Sequence, residues 1–351
     1  MLVTPQQQQH TIKTILNRYS VDVSATIRGV LNKAAPFLHG VVSYHLGWVD
    51  QTFQPTTVGR GKLLRPTLNL LVFEALSGDY KAALPVAAYL EMLHNFSLLH
   101  DDIEDNDRER RGRPTAWTIW GQSRTINVGD YLFAASFQAL HTLDMTQFEP
   151  TTVLDVFQLM STAAALLTEG QELDMSFESR LDVSPEMYIG MISKKTGALI
   201  EAAVVGGAML ATSDETIVQN YQQFAHNLGL AFQIQDDILG IWGDAEITGK
   251  SADNDLRRKK KTLPILYTLS QLDTDNAERL RDCYTKPEPL NETQIMFVRD
   301  CLVQTEAQAY TQSVADEYHQ KAFTALEAVN LENEPQRALK KLARFLVDRT
   351  Y

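Results

Sequence analysis

The chain of 351 residues has little cysteine: only Cys283 and Cys301, with no Cys-x-x-Cys pair. That scarcity excludes a disulfide scaffold and a cysteine-based zinc site, and it fits a reducing compartment with two inert helix residues. Positive charge is also short, because 32 Lys and Arg stand against 44 Asp and Glu, for a net charge of -12. A nucleic-acid partner, which would demand a basic face, is therefore not expected. Long apolar runs are lacking as well. The best candidate, LPVAAYLEMLHNFSLLH over residues 84–100, is interrupted by Glu91, His94, Asn95 and Ser97, short of the roughly 20 apolar residues of a membrane span. The first twenty residues, MLVTPQQQQHTIKTILNRYS, show neither a secretory apolar core nor an Arg/Ser-rich transit pattern. They read as a polar extension, 1–20, on a cytoplasmic chain. Alternating strand patterns are nearly absent, which leaves little room for a sheet.

What remains is helical. With 44% hydrophobic residues the chain can bury a sizeable core. Apolar residues recur at helical spacing, as in Val86, Leu90 and Leu93, in Leu154, Phe157, Met160 and Ala164, and in Phe224, Leu228 and Ala231. Glycine and proline punctuate these segments at Gly59-Arg60-Gly61, Gly112 to Pro114, Pro150, Pro185 and Pro287 to Pro289. The pattern predicts one all-α domain over residues 1–351, a bundle of roughly a dozen helices. Residues 274–294 read as a polar, peripheral helix hairpin without chemistry.

Two acid clusters break the apolar helices. LLHDDIEDNDRERRG, Leu98 to Gly112, holds six acids and three arginines. Asp101 and Asp105 are four apart and share a helix face, with Asp102 beside them. FQIQDDILGIWGD places Asp236 and Asp237 on a second helix, with Asp244 further along. One such cluster could be a solvated helix end. Two, each following an apolar face, suggest Mg²⁺, a hard ion that takes few protein carboxylates and completes its shell with substrate phosphate oxygens. A di-iron bundle needs a Glu-x-x-His motif on each of two helices; the chain has one, Glu91 to His94. Cationic residues accompany the acids: Arg110 and Arg111, Lys62 and Arg65 in GRGKLLRP, Lys194 and Lys195 in SKKTG, and Lys250 in TGK. Arg grips phosphate by a fork and Lys as a point charge.

In these motifs and their order, from Gly59 to Pro264, the chain resembles the trans-isoprenyl diphosphate synthases, the family of farnesyl and geranylgeranyl diphosphate synthases. The resemblance implies the isoprenoid synthase fold, with helices around a central cavity, and a homodimer. It makes Asp101, Asp102, Asp105, Asp236 and Asp237 the ligands of three Mg²⁺ ions that hold an allylic diphosphate. It assigns Arg110 to that diphosphate, and Lys62, Arg65, His94 and Arg111 to isopentenyl diphosphate. Lys195, Thr196, Gln233 and Lys250 match residues that grip the allylic diphosphate and border the reacting carbons. GQELD, Gly170 to Asp174, matches a motif near the metals, and KKKTLP, Lys259 to Pro264, matches one whose contacts are unassigned. One departure stands out, since DDILG carries Gly240 where the family has a third aspartate.

The implied reaction ionises the allylic carbon-oxygen bond, and isopentenyl diphosphate then attacks the cation and loses a proton. It needs charge stabilisation and proximity, and no nucleophilic side chain. A class I terpene cyclase would need no second cationic site such as Lys62, Arg65, His94 and Arg111, and a silent partner subunit would need no intact acids. The product tail should run past residues one to two turns before Asp101: Met92, Leu93, Phe96 and Ser97. Bulky Phe96 beside small Ser97 resembles enzymes making the C20 product, geranylgeranyl diphosphate, with C15 second. His100 reads as structural, and Trp117 and Trp120 as packing aromatics.

Overall fold

The computed structural model describes residues 5–180, 182–243, 254–285 and 288–347. They are predominantly α-helical with almost no strand, as expected, and fall into two compact units. Unit 1 comprises Met1–Met160, Ala203–Asp214 and Glu332–Leu339; unit 2 comprises Ser161–Ala202, Glu215–Leu331 and Lys340–Tyr351.

Unit 1 begins with α1 (Pro5–Asn17), α2 (Ser20–Leu31) and α3 (Pro36–His45). The expected polar extension is thus mostly helix, and it is pinned, because Ile12, Ile15 and Tyr19 are buried and Arg18 pairs with Glu74 at 2.8 Å. After α4 (Leu64–Ser77) comes α5 (Leu84–Glu104), with Pro85 in its first turn, where the missing N–H costs nothing. From Val86 to Leu93 every α5 side chain is buried. This stretch is packed by α2, α4 and α7 (Gln122–Leu140). Between α5 and α6 (Ala116–Trp120) a two-residue hairpin pairs β1 (Glu109–Arg110) with β2 (Arg113–Pro114). Trp120 meets Tyr44 and Phe53 at 5.0 and 5.7 Å between ring centroids, so it is a packing aromatic as expected.

α8 (Pro150–Ser179) and α10 (Ala198–Ala211) each contribute to both units. By length and composition α8 could cross a bilayer, which the sequence reading did not anticipate. Its Val153, Val156, Met160, Ala163, Ala164 and Leu167 are buried in protein.

Unit 2 is built on α11 (Glu215–Trp242), which runs alongside α16 (Ala307–Ala328). It also holds α9 (Pro185–Ile192), α12 (Asn254–Arg257), α13 (Leu263–Gln271), α14 (Thr274–Thr285) and α15 (Glu292–Gln304); α17 (Glu334–Val347) again contributes to both units. The expected polar hairpin is α14 and the start of α15, anchored by buried Leu280, Cys283 and Tyr284. Between α9 and α10 the SKKTG stretch, Ser193–Gly197, winds as a π-turn, a form that concentrates at functional positions. Two glycines admit it. A Cβ on Gly170 would lie 2.2 Å from the Lys195 backbone nitrogen, and one on Gly229 would lie 2.9 Å from Gly197 Cα. Gly170 of GQELD and Gly229 are therefore close-approach residues that let α8 and α11 touch the π-turn backbone.

Candidate active site

In unit 1 the first acid motif ends α5. The Asp105 N–H donates to the Asp101 carbonyl at 2.8 Å, so the helical register holds through Asp105 and the two carboxylates leave one face. Asp102 turns inward: its side chain is buried and accepts from Arg110 Nε at 2.6 Å. Burial pushes its carboxyl up to about 6 against the pull of Arg110, and its second oxygen has no hydrogen-bond partner.

The hairpin sets the arginines. Arg111 and Gly112 have φ of +54° and +70°, the pair of positive values that a two-residue turn between twisted strands requires. That turn returns Arg110 to Asp102 and directs Arg111 toward Gly61, where an added Cβ would lie 3.1 Å from the guanidinium. Lys62, next to Gly61, is exposed. Arg113, which sequence reasoning passed over, holds the loop in place by donating to the carbonyls of Tyr44, Val49 and Val58 at 3.2, 2.7 and 3.1 Å.

Arg65 and His94 stand with Arg111 in a cationic environment. Burial brings the Arg65 guanidinium down to about 10, opposed by Glu91, and also lowers that of Arg111. Burial, with Arg65 and Arg111 beside it, holds the His94 imidazole well below its ordinary value, hence neutral. His45, missed in the sequence, is buried and lowered by the same causes, burial first and then Arg111. Glu91, half of the lone Glu-x-x-His motif, is a buried acid that accepts from Asn95 at 2.8 Å. Its carboxyl is pushed up by burial and opposed by Asn95, Arg111 and Arg65. A cleft lined by His45, Asp102, Arg110, Arg111, Arg113 and Thr115 opens here.

Of the four expected tail residues, Met92 and Leu93 are fully buried, so they belong to packed interior. Phe96 and Ser97 keep partial exposure. Phe96 sits 5.0 Å from Phe133 and 4.9 Å from His100, ring centroid to centroid. His100 itself lies against Gly129, where a Cβ would meet it at 2.2 Å. Its Nε2 lies 3.2 Å from the Ile126 carbonyl, so it is placed as a hydrogen-bonded structural residue, the reading made from the sequence.

In unit 2 the second motif sits near the end of α11. Asp236 is partly exposed, whereas Asp237, expected beside it as a metal ligand, is buried. Its carboxylate is occupied within the protein instead: Tyr188 donates to Oδ2 at 2.7 Å and Gln233 to Oδ1 at 3.2 Å. Burial pushes it up to about 7 against those two donors. Gln233 in turn accepts from the Thr196 hydroxyl at 2.8 Å. A hydrogen-bonded chain, Thr196 to Gln233 to Asp237 to Tyr188, thus fixes the residues expected beside the reacting carbons. Tyr188 was missed, and only its place one helix before SKKTG could have hinted at it. Lys195 pairs with Asp174 of GQELD. Lys194 pairs with Glu169 at 2.8 Å. Lys261 of KKKTLP donates to the carbonyls of Phe177 and Glu178 at 3.0 and 2.8 Å and to that of Arg180, so it caps the C-terminus of α8. Lys250 and Asp244 lie outside the described residues.

Among the described residues, no three acid, histidine or cysteine side chains converge closely enough to hold an ion by themselves. The paired Asp101 and Asp105 of unit 1 and, separately, the partly exposed Asp236 of unit 2 each suit an ion that takes one or two carboxylates and draws the rest of its shell from water and substrate oxygens.

The acid motif of α5 stands beside Arg110 in unit 1, and in unit 2 the SKKTG turn with its two lysines packs on the helix that carries the second motif, so both units offer residue types suited to diphosphate esters. The comparisons make the class specific. The polyprenyl synthetase family profile matches residues 47–301. A (2E,6E)-farnesyl diphosphate synthase of Mycobacterium tuberculosis is 33% identical over 93% of this chain and 90% of its own. A geranylgeranyl diphosphate synthase of Saccharolobus solfataricus is 36% identical over 86% and 90%. A solved geranylgeranyl pyrophosphate synthetase of Pyrococcus horikoshii superposes with a TM-score of 0.86 at 30% identity, covering 97% of this chain and 99% of that one. The chain belongs to the polyprenyl synthetase family and is a prenyltransferase that elongates trans-prenyl chains.

Proposed function

We propose that this protein condenses isopentenyl diphosphate with an allylic diphosphate, head to tail (1'-4), and that its product is geranylgeranyl diphosphate. The observation that carries the substrate assignment is the convergence in unit 1 of Arg65, Arg111 and neutral His94 around a buried Glu91, close to Gly61 and Lys62. The positive charge of Arg65 and Arg111 is held by the fold before any ligand arrives, as electrostatic preorganisation requires. These residues and Lys62 hold the isopentenyl diphosphate.

Arg110, braced on Asp102, grips the allylic diphosphate, as do Lys195 and Lys250. Asp101, Asp105 and Asp236 are the residues that would hold Mg²⁺, which when bound neutralises charge growing on the leaving diphosphate. Asp102 and Asp237 serve as buried positioning groups behind them. Gln233 and Thr196, fixed through Asp237 and Tyr188, present uncharged oxygens toward the allylic carbons. No side chain is needed as a nucleophile, and the proton lost after carbon-carbon bond formation passes to the departing diphosphate.

The C20 reading rests on Phe96 backed by Phe133, with the small Ser97 beside it. The second reading is C15, favoured by the likeness to a farnesyl diphosphate synthase. The purified chain incubated with Mg²⁺, isopentenyl diphosphate and farnesyl diphosphate should give a C20 product on chromatography. No extension of farnesyl diphosphate, with geranyl diphosphate extended to C15, selects the second reading; no prenyl transfer at all defeats both. We further read the protein as a cytoplasmic homodimer, which light scattering checks for oligomeric state.

A further inference from the structure

Arg110 and Arg111 serve the two diphosphate sites proposed above, whereas Arg113, on β2 of the same hairpin, directs its guanidinium to backbone. Its Nη1 donates to the carbonyls of Tyr44 and Val58 at 3.2 and 3.1 Å, and its Nη2 donates to that of Val49 at 2.7 Å. Tyr44 lies in the last turn of α3, where a cation also complements the helix dipole. Val49 and Val58 lie on the two limbs of the segment that joins α3 to α4. One side chain thus ties both limbs to the hairpin.

The surrounding backbone is shaped to admit that side chain. Gly59 has φ of +82°, and a Cβ there would lie 2.5 Å from Arg113 Cδ, so the arginine stem crosses the segment where only glycine leaves room. Gly47, with φ of +74°, brings the first limb against the second, because its Cβ would lie 2.8 Å from the Gly59 carbonyl oxygen and from the Arg60 nitrogen. Tyr44 clamps from the other side: its ring centroid lies 3.9 Å from the Arg113 guanidinium, and its hydroxyl donates to the Pro114 carbonyl at 2.7 Å. The base of the segment is therefore locked to the hairpin. Gly61, two residues beyond the crossing point, rests against the Arg111 guanidinium, and Lys62 follows it.

We propose that Arg113 is a positioning residue for isopentenyl diphosphate: by locking the Gly59 region to the hairpin, it sets the spacing between Lys62 and Arg111. It touches no substrate. A diphosphate is gripped well only when cations on both sides meet its oxygens together, and a misplacement of about 1 Å can cost about 100-fold. Arg110 is held separately, through Asp102, so the allylic side does not depend on this lock. The assignment rests on the reading above, in which Lys62 and Arg111 hold isopentenyl diphosphate.

The test compares the wild-type chain, Arg113→Ala, Arg113→Lys and Thr52→Ala. Each is titrated calorimetrically with isopentenyl diphosphate in the presence of Mg²⁺ and inorganic diphosphate, and each is assayed in steady state with both substrates. Arg113→Ala should weaken isopentenyl diphosphate binding and raise its KM by about 10-fold or more, while kcat and KM for the allylic substrate stay within about twofold. Guanidinium ion at millimolar concentration should restore that KM by taking the place of the fork among the three carbonyls, whereas methylammonium should not. Arg113→Lys, a point donor that cannot serve carbonyls on both limbs, should fall between. The control is Thr52→Ala, which removes the hydroxyl bond to Asp50 at 2.7 Å near the tip of the same segment and should leave both KM values unchanged. An unchanged KM in Arg113→Ala overturns the assignment, as does an equal rise in Thr52→Ala, or a joint loss of kcat and both affinities that guanidinium ion leaves uncorrected. If circular dichroism shows Arg113→Ala unfolded, Arg113→Lys decides by the same split between substrates. A wild-type chain that binds no isopentenyl diphosphate refutes the substrate reading itself, a result seen before any variant is compared.

Discussion

The two units hold their acid motifs by different means. In unit 1 the buried Asp102 is balanced by a cation, Arg110, delivered by a hairpin whose turn runs through positive φ at Arg111 and Gly112. In unit 2 the buried Asp237 is balanced by neutral donors, Tyr188 and Gln233, and the neighbouring backbone is positioned by glycine contacts at Gly170, Gly197 and Gly229. An ion pair keeps its charge through local screening and tolerates some movement. A hydrogen-bond chain works only if every member sits at its bonding distance. Unit 1 should therefore be sensitive to loss of charge, and unit 2 to loss of shape.

The largest expected effect tests what the units share. Asp101→Asn in unit 1 and Asp236→Asn in unit 2 should each cut kcat by about 10³-fold, the scale of removing a stabiliser of developing charge. Steady-state kinetics at saturating Mg²⁺ would show it, and a loss confined to one variant would mean that only one motif serves the leaving group. Next comes the split between substrates. Arg111→Lys keeps the charge but loses the fork, so it should raise KM for isopentenyl diphosphate about 10-fold or more with little change for the allylic substrate. Lys195→Gln should do the reverse.

The glycines offer a third comparison, in stability. Gly170→Ala places a methyl against the Lys195 backbone, which cannot step aside, and should cost about 3 kcal/mol in denaturant unfolding. Gly129→Ala in unit 1 meets only the His100 side chain and should cost about 1 kcal/mol. Equal losses would erase the distinction between the units. Phe96→Ala should lengthen the product by one or more C5 units in a sizing assay, and Gln233→Ala should leave length unchanged while slowing turnover.

The smallest effect is a pH dependence. His226 is raised above its ordinary value, chiefly by its hydrogen bond to Glu201 and against burial. Raised in the fold, it contributes stability fully below about pH 6.5 and loses it as pH rises through the higher folded value. The group is partly exposed, so His226→Gln should lower stability by at most about 0.5 kcal/mol at pH 6 and by nothing at pH 9.

Much of this was legible in the residues. The helical period of Val86, Leu90 and Leu93 announced α5, and the acids behind them announced a motif, because both signals are local. Arg65 and Arg111 stood out as cations near loop glycines, whereas His94 was named only through the resemblance to a known family. The inward turn of Asp102 and Asp237 could not, since adjacent aspartates on a helix differ by about 100° in direction and only the surrounding helices decide which direction is buried. Nor could the N-terminal helix be read, for Ile12, Ile15 and Tyr19 are sparse among polar residues and matter only through the surface they cover. Tyr188, His45 and Arg113 were invisible because their partners are distant in sequence.

The sequence by itself determined the all-α class, the family, and the residue types available for diphosphate and metal, since periodicity and motif spacing are written along the chain. Tertiary structure decided which aspartates are buried and which remain open to ligand. It also decided that SKKTG winds as a π-turn against Gly170. Each of these depends on the distance between side chains separated by many residues, and that distance is set by packing, on which spacing along the chain is silent.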